Sequence, residues 1–202
     1  AGLPPREIGE MADQEPGVAW LFPSWEHNPR SPTIRIVIKH GPKQKVLLTH
    51  QDSPVGPVYF DQIEVNETVA VSIWQGIPLV AGQNLFRARI EEESGALADT
   101  LTRLVHYANQ PARAVLAPEA SLLIADGIQK PGIAVRLLDR HNKPVRAGVT
   151  GTYSVNSPYL PAVTVDETQR RQLAGMDRFR PMFVVTGDDG IAYIELAPTT
   201  ET

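Results

Sequence analysis

The chain has 202 residues, a formal net charge of −4 and no cysteine. That length holds one large domain or two of about a hundred residues each. Residues 1–108 carry 9 Lys+Arg against 13 Asp+Glu, and residues 109–202 carry 10 against 10, so neither half has the basic footprint that a phosphate backbone requires. No apolar run approaches the roughly 18 residues of a spanning helix, and neither a disulfide framework nor a cysteine metal site is available.

Residues 1–16 are polar, contain proline and keep no period; they read as a lead-in. The opening Ala1-Gly2-Leu3, without Met or leader, reads as a piece of a longer protein. Residues 17–22 are short and apolar, a first strand. Three prolines make 23–32 a loop. In 33–39, Ile34, Ile36 and Ile38 alternate with Arg35, Val37 and Lys39, the period of two that a half-buried strand needs. His40-Gly41-Pro42-Lys43 is a turn, after which 44–49 reads as the second arm of a hairpin. Residues 58–65 and 68–74 are further strands joined at Asn66, with Val69, Val71 and Ile73 on one face of the second. A turn-rich stretch over 78–84 precedes a strand over 85–91. Residues 99–107 alternate less cleanly and are also compatible with helix; among so many short strands they read as the last strand of a domain.

Pro111 disfavours helix at Gln110 and marks a boundary there. Strands resume at 113–116 and 121–124. The stretch 133–137 places Ile133, Val135 and Leu137 on one face. The polar cluster Asp139 to Pro144 has turn chemistry, and 149–155 alternates again. Residues 156–181 differ in character: Pro158 and Pro161 come first, and then the composition of 165–173 suits a short helix, with Asp166 as cap, Gln169 three places on and Gly175 as its end. Residues 183–186 return to strand. Gly187-Asp188-Asp189-Gly190 turns the chain, and 191–196 closes it. Short strands at about ten-residue spacing predict an all-β fold. The expectation is a lead-in at 1–16 and two tandem antiparallel β-sandwiches at 17–110 and 111–202, the second with an insertion at 156–181.

Several blocks of the second half carry a resemblance: Ala125-Asp126-Gly127, the strand from Ile133 to Asp139, Pro144-Val145 with Gly148-Val149, Gly187 to Ala192, and Leu196 to Thr200. In this order they resemble the bacterial immunoglobulin-like repeat of the invasin/intimin adhesin family, from which the long 156–181 insertion departs. More weakly, Val80-Ala81-Gly82-Gln83-Asn84, followed by an alternating strand and a Gly turn, is similar to the L-x-x-G-x-N strand entry of bacterial Ig-like modules. The resemblance implies a surface-exposed or periplasmic piece of a modular, outer-membrane-associated envelope protein, and names no ligand.

Site chemistry is sparse. The histidines at 27, 40, 50, 106 and 141 lack the i, i+4 spacing of a zinc pair and read as turn or rim residues. Asp139, Asp188 and Asp189 offer oxygens to calcium, but the alternating acidic loop is missing and turn formation accounts for them. No G-x-S-x-G, P-loop or G-x-G-x-x-G occurs. No catalytic, cofactor or metal residue is therefore assigned. Trp74 has the opposite parity to Val71 and Ile73, which in a regular strand points it outward as a recognition side chain; the plainer alternative is that it covers a sheet edge. In the insertion, Tyr159, Met176 and Phe179 accompany Arg170, Arg171, Arg178 and Arg180, a composition that interfaces use, although a flap packed on its own sandwich would look the same.

The functional expectation is a non-catalytic spacer and adhesion or interaction module of a bacterial cell-envelope protein, extracellular or periplasmic. Its partners would be a protein, a glycan or neighbouring domains, with no nucleic acid and no membrane insertion. The competing expectation is a carbohydrate-binding or accessory module of a secreted enzyme.

Overall fold

A computed structural model describes residues 15–25, 27–162, 173–175 and 180–202. The chain divides into two compact units, Ala1–Tyr107 and Ala108–Thr202. Both are built from antiparallel strands.

In the first unit the strands are β1 (Ala19–Phe22), β2 (Thr33–His40), β3 (Lys45–His50), β4 (Ser53–Pro54), β5 (Phe60–Val65), β6 (Ala70–Pro78), β7 (Gly82–Glu91) and β8 (Leu97–Tyr107). They form two sheets, ordered β1-β2-β6-β5 and β4-β3-β7-β8. Named A to G, with β4 as C′, these are the ABED and C′CFG sheets of an Ig-like sandwich. The interior is the alternation made physical. Ile34, Ile36 and Ile38 meet Phe86, Ala88 and Ile90 of β7, Leu48 of β3 and Val105 of β8, all buried. Each fully buried aliphatic or aromatic side chain contributes roughly 1.5–3 kcal/mol.

The expected hairpin between 33–39 and 44–49 does not form. β2 pairs with β1 and β6, while β3 pairs with β4 and β7. Residues 41–44, closed by Gln44 N–H on the Gly41 carbonyl at 3.1 Å, carry the chain from one sheet to the other. Both strands then bury their apolar faces in the same interior, which alternation alone cannot distinguish from side-by-side pairing.

The entry to β7 is a polar corner. Gly82 has φ +90°, a conformation that disfavours a β-carbon. Asn84 is fully buried. Its amide nitrogen donates to the carbonyls of Val80 (2.8 Å) and Gly82 (3.0 Å), and its oxygen accepts from Val80 N–H at 2.8 Å. His50 Nε2 lies 2.9 Å from the same oxygen. This set of bonds gives the L-x-x-G-x-N pattern its physical reason.

The second unit has β9 (Arg113–Leu116), β10 (Gly132–Leu138), β11 (Thr150–Thr152), β12 (Met182–Val184) and β13 (Ile191–Glu195). One sheet is ordered β13-β10-β9 and the other is β11-β12. Leu137, Val145, Val149, Val185 and Ala192 are buried together, with Val135 and Phe183 packed on them. β10 and β11 do not pair; the turn between them leads to the other sheet. Asp139 organises that turn, its carboxylate accepting from His141 N–H at 2.8 Å and Lys143 N–H at 3.0 Å. Residues 121–124 contribute one bridge, Leu122 to Gly132, rather than a full strand. The helix expected over 165–173 lies outside the described residues apart from Leu173; Gly175, expected to end it, has φ +73°.

Candidate functional site

Of the predicted contact residues, Trp74, Tyr159 and Arg180 are among those described. Arg170, Arg171, Met176, Arg178 and Phe179 lie outside the described residues. Arg180 is exposed. Trp74 is buried, at 5% exposure, among the isoleucines of the first interior. It does lie on the opposite face of β6 from Val71 and Ile73, but that face is the inner one, not the outer one expected. Val71 and Ile73 face away from the second sheet and are buried with Val37 against Leu21 and Phe22. Both faces of β6 are covered, so its apolar pattern does not say which face is inside.

Tyr159 lines a cavity of about 530 Å³ in the second unit. One wall is the 123–131 segment with Leu123, Ile124 and Pro131; another is Val155 with Tyr159; the third is the 196–202 tail. Backbone bonds hold these walls together: Leu196 N–H to the Pro131 carbonyl (2.8 Å), Ala197 N–H to Leu160 (2.8 Å) and Gly127 N–H to Thr199 (2.9 Å). Asp126 shapes the first wall, its carboxylate accepting from Ile128 and Gln129 N–H at 2.8 Å each. The Gln129 and Ile128 amides hold that carboxyl below its ordinary pKa. The lining is largely apolar, with Tyr159, Thr199, Glu201 and Thr202 as its polar groups, a composition suited to an apolar side chain or ring.

Sequence reasoning missed Arg103. It sits on β8 at the parity of Leu101, Val105 and Tyr107, and it is 6% exposed. Its Cζ lies 4.2 Å from the Trp25 ring centre and 5.6 Å from that of Trp20. Nε and Nη1 are buried without a hydrogen-bond partner, as is Trp20 Nε1. Burial lowers the arginine pKa, and stacking on two indoles offsets part of that cost. An arginine at an inward parity is the signal that would have found it. Trp25 is 66% exposed and has an outer face to offer.

His40 and Ser72 form a buried polar pair in the first unit. His40 Nε2 lies 2.8 Å from Ser72 Oγ, and its Nδ1 lies 2.8 Å from the Gly41 carbonyl. Burial is the larger influence on the imidazole and lowers its pKa, against the Gly41 contact, which raises it. The pair has the connectivity of a base and a hydroxyl, but both residues are 3% exposed or less, and the bonds tie the end of β2 to β6. Among the described residues no group of three or more His, Cys, Asp or Glu is placed to hold a metal ion, and no helix is long and apolar enough to cross a membrane.

No protein-family model matches the sequence, and no curated protein matches it. Solved structures do. A β-glucuronidase from Parabacteroides merdae is 13% identical, with 91% of this chain and 21% of that one covered at a TM-score of 0.35. The D00-D0 domain of intimin is 11% identical, with 91% and 87% covered at a TM-score of 0.28. The Yersinia pseudotuberculosis adhesin InvE is 13% identical, with 85% and 48% covered at a TM-score of 0.26. The chain spans about a fifth of the length of the glucuronidase. These neighbours are at most 13% identical to this chain, at TM-scores below 0.5. They include adhesins and a glycosidase alike, and do not divide the two functional readings.

Proposed function

We propose that this chain is a non-catalytic tandem Ig-like segment of a larger bacterial cell-envelope protein, related to the invasin/intimin repeats. It spaces neighbouring domains and presents a surface to a protein or glycan partner outside the cytoplasm. The supporting observation is that the buried polar side chains other than Arg103 are used to hold turns and strands. Asn84 closes the β7 corner, Asp139 closes the 139–143 turn and His40 ties β2 to Ser72 of β6. A spacer needs each unit to stand as its own body, and the chain has a separate core in each. Stretching the whole chain between handle proteins tests this: a spacer gives two unfolding steps, one per unit. One step for the whole chain contradicts it, and so does covalent labelling of Ser72 by a fluorophosphonate.

A second reading, a carbohydrate-binding or accessory module of a secreted enzyme, is favoured by one observation. Trp25 rests one face on Arg103 and is 66% exposed, an arrangement able to stack on a sugar ring. Binding on a broad glycan array that disappears in Trp25→Ala supports it. An array silent for the unaltered chain removes it.

A further inference from the structure

The first sandwich is incomplete along one side. Phe60 pairs with Trp74, Ile63 with Ser72 and Val65 with Ala70. Neighbours across antiparallel strands share a face, so these three side chains lie on the Trp74 face of the sheet, which looks toward the other sheet. They are nevertheless 42%, 46% and 52% exposed. What should cover them is the strand opposite β5. That strand is β4, only two residues long and paired only with Thr49 and His50. Val55 adds one more bond, its N–H donating to the Leu48 carbonyl at 2.9 Å, and the chain then turns through Pro57–Tyr59 to β5. Among the described residues, the outer edge of β3 over residues 45–47 therefore carries no strand. Backbone groups alternate in direction along a strand. Since the Leu48 carbonyl points to the β4 side, so do the N–H and C=O of Val46.

The result is a cleft of about 540 Å³. Val46, Leu48, Phe60, Ile63 and Trp74 line it, and Lys45 and Arg89 border it. Three features of an occupant follow. It offers backbone hydrogen bonds to an open strand edge, so it is extended polypeptide. Its alternate side chains are apolar, to cover Phe60 and Ile63. The side chains between them emerge beside Lys45 and Arg89, so they are acidic. Arg89 already has Glu91 at 3.4 Å, but its side chain is 53% exposed, which leaves it open to a further carboxylate. A second copy pairing through the same edge would bring two Lys45 and Arg89 sets onto one face, and like charges placed so oppose pairing.

The geometry points to a strand-accepting groove between β3 and β5 that takes an extended segment of a partner protein, with apolar and acidic residues alternating. The inference goes beyond the spacer reading and holds whether the parent protein is an adhesin or an enzyme.

The test uses the full chain with two seven-residue peptides, one alternating glutamate with valine and isoleucine, the other with lysine in place of glutamate. Calorimetry measures affinity, and NMR follows exchange of the Val46 amide. The acidic peptide binds saturably, protects Val46 and binds at least tenfold more tightly than the lysine peptide. Ile63→Asp, at a half-exposed position that leaves the fold intact by circular dichroism, weakens it at least tenfold. Absence of saturable binding, equal binding of both peptides, an unprotected Val46 or an unaffected Ile63→Asp variant overturns the proposal. So does a concentration-dependent dimer that Ile63→Asp dissolves, which would assign the edge to a second copy.

Discussion

Arg103 stands over Trp25, its guanidinium carbon 4.2 Å from the ring centre, while two of its nitrogens are buried without a partner among the described residues. A buried arginine held by a carboxylate loses about 3–5 kcal/mol when the partnership is broken. Among the described residues no carboxylate holds Arg103. Arg103→Met keeps the length and apolar body, removes the orphaned donors and costs no more than about 1 kcal/mol. Denaturant unfolding of the full chain, read on the first unit, checks it; a loss of 3 kcal/mol or more would show that the cation is needed where it stands.

Asn84 gives the opposite expectation. Its buried side chain makes two bonds to carbonyls and accepts from Val80 N–H, the Gly82 bond fully out of solvent and the two Val80 bonds partly so. Asn84→Ala leaves those backbone groups without partners, and each orphan costs about 1–3 kcal/mol. A loss of roughly 2–4 kcal/mol in the first unit is expected by the same measurement. Asn84→Asp should be no milder, because a carboxylate would face the Val80 and Gly82 carbonyls where an NH₂ now donates.

Acid should weaken the first unit through His40. Burial holds the folded imidazole below the ordinary value of 6.5, so on acidification the unfolded chain takes up its proton first. Stability from this source is complete above about pH 6.5 and declines as pH falls through the folded value. Asp126, in the second unit, is held below its ordinary 3.8 and contributes a separate decline at more acid pH. Denaturant midpoints for the first unit should therefore fall between pH 7.5 and pH 5. The double variant His40→Leu, Ser72→Ala should flatten that dependence without moving the Asp126 limb.

Gly190 and Gly76 form a matched pair, both with φ +73°. A β-carbon at Gly76 meets nothing within 4 Å, whereas at Gly190 it stands 2.6 Å from the Leu137 carbonyl oxygen. Gly76→Ala should cost about 1–2 kcal/mol for the backbone alone. Gly190→Ala should cost more, because the Leu137 strand must move as well. Equal losses, measured unit by unit, would show that the contact relaxes freely.

Trp74→Ala should cost about 3–5 kcal/mol as a core cavity, while Trp25→Ala should leave stability within about 1 kcal/mol and alter only the fluorescence of the Arg103 stack. Circular dichroism and thermal unfolding of the two variants separate them. A stable Trp74→Ala protein would restore that residue as a surface group.

Strand positions were largely legible because alternation and turn residues agree locally. The turn at Asp139–Lys143 and the strands at 33–40 and 191–195 follow from side-chain type alone. Pairing was not legible: the same pattern in β2 and β3 serves a hairpin or a crossing between sheets. Nor was the orientation of β6, where Ala70 and Trp74 on one face compete with Val71 and Ile73 on the other. Neither cavity has a motif. The groove between β3 and β5 exists because β4 is short, a property of chain geometry with no residue signature. Tyr159 was singled out for its neighbours in the sequence, yet the structure gives it walls from Ile124, Pro131 and Thr199, all distant along the chain.

The Asn84 corner bears on how the first unit assembles. Its bonds to Val80 and Gly82 span only two to four residues, and closing so small a ring sacrifices little chain freedom. It can set before any distant strand has arrived. β7 leaves that corner, and both β3 and β8 later pair with it. A nucleus for the sheet is thus written into five consecutive residues, ahead of the slower search for long-range partners.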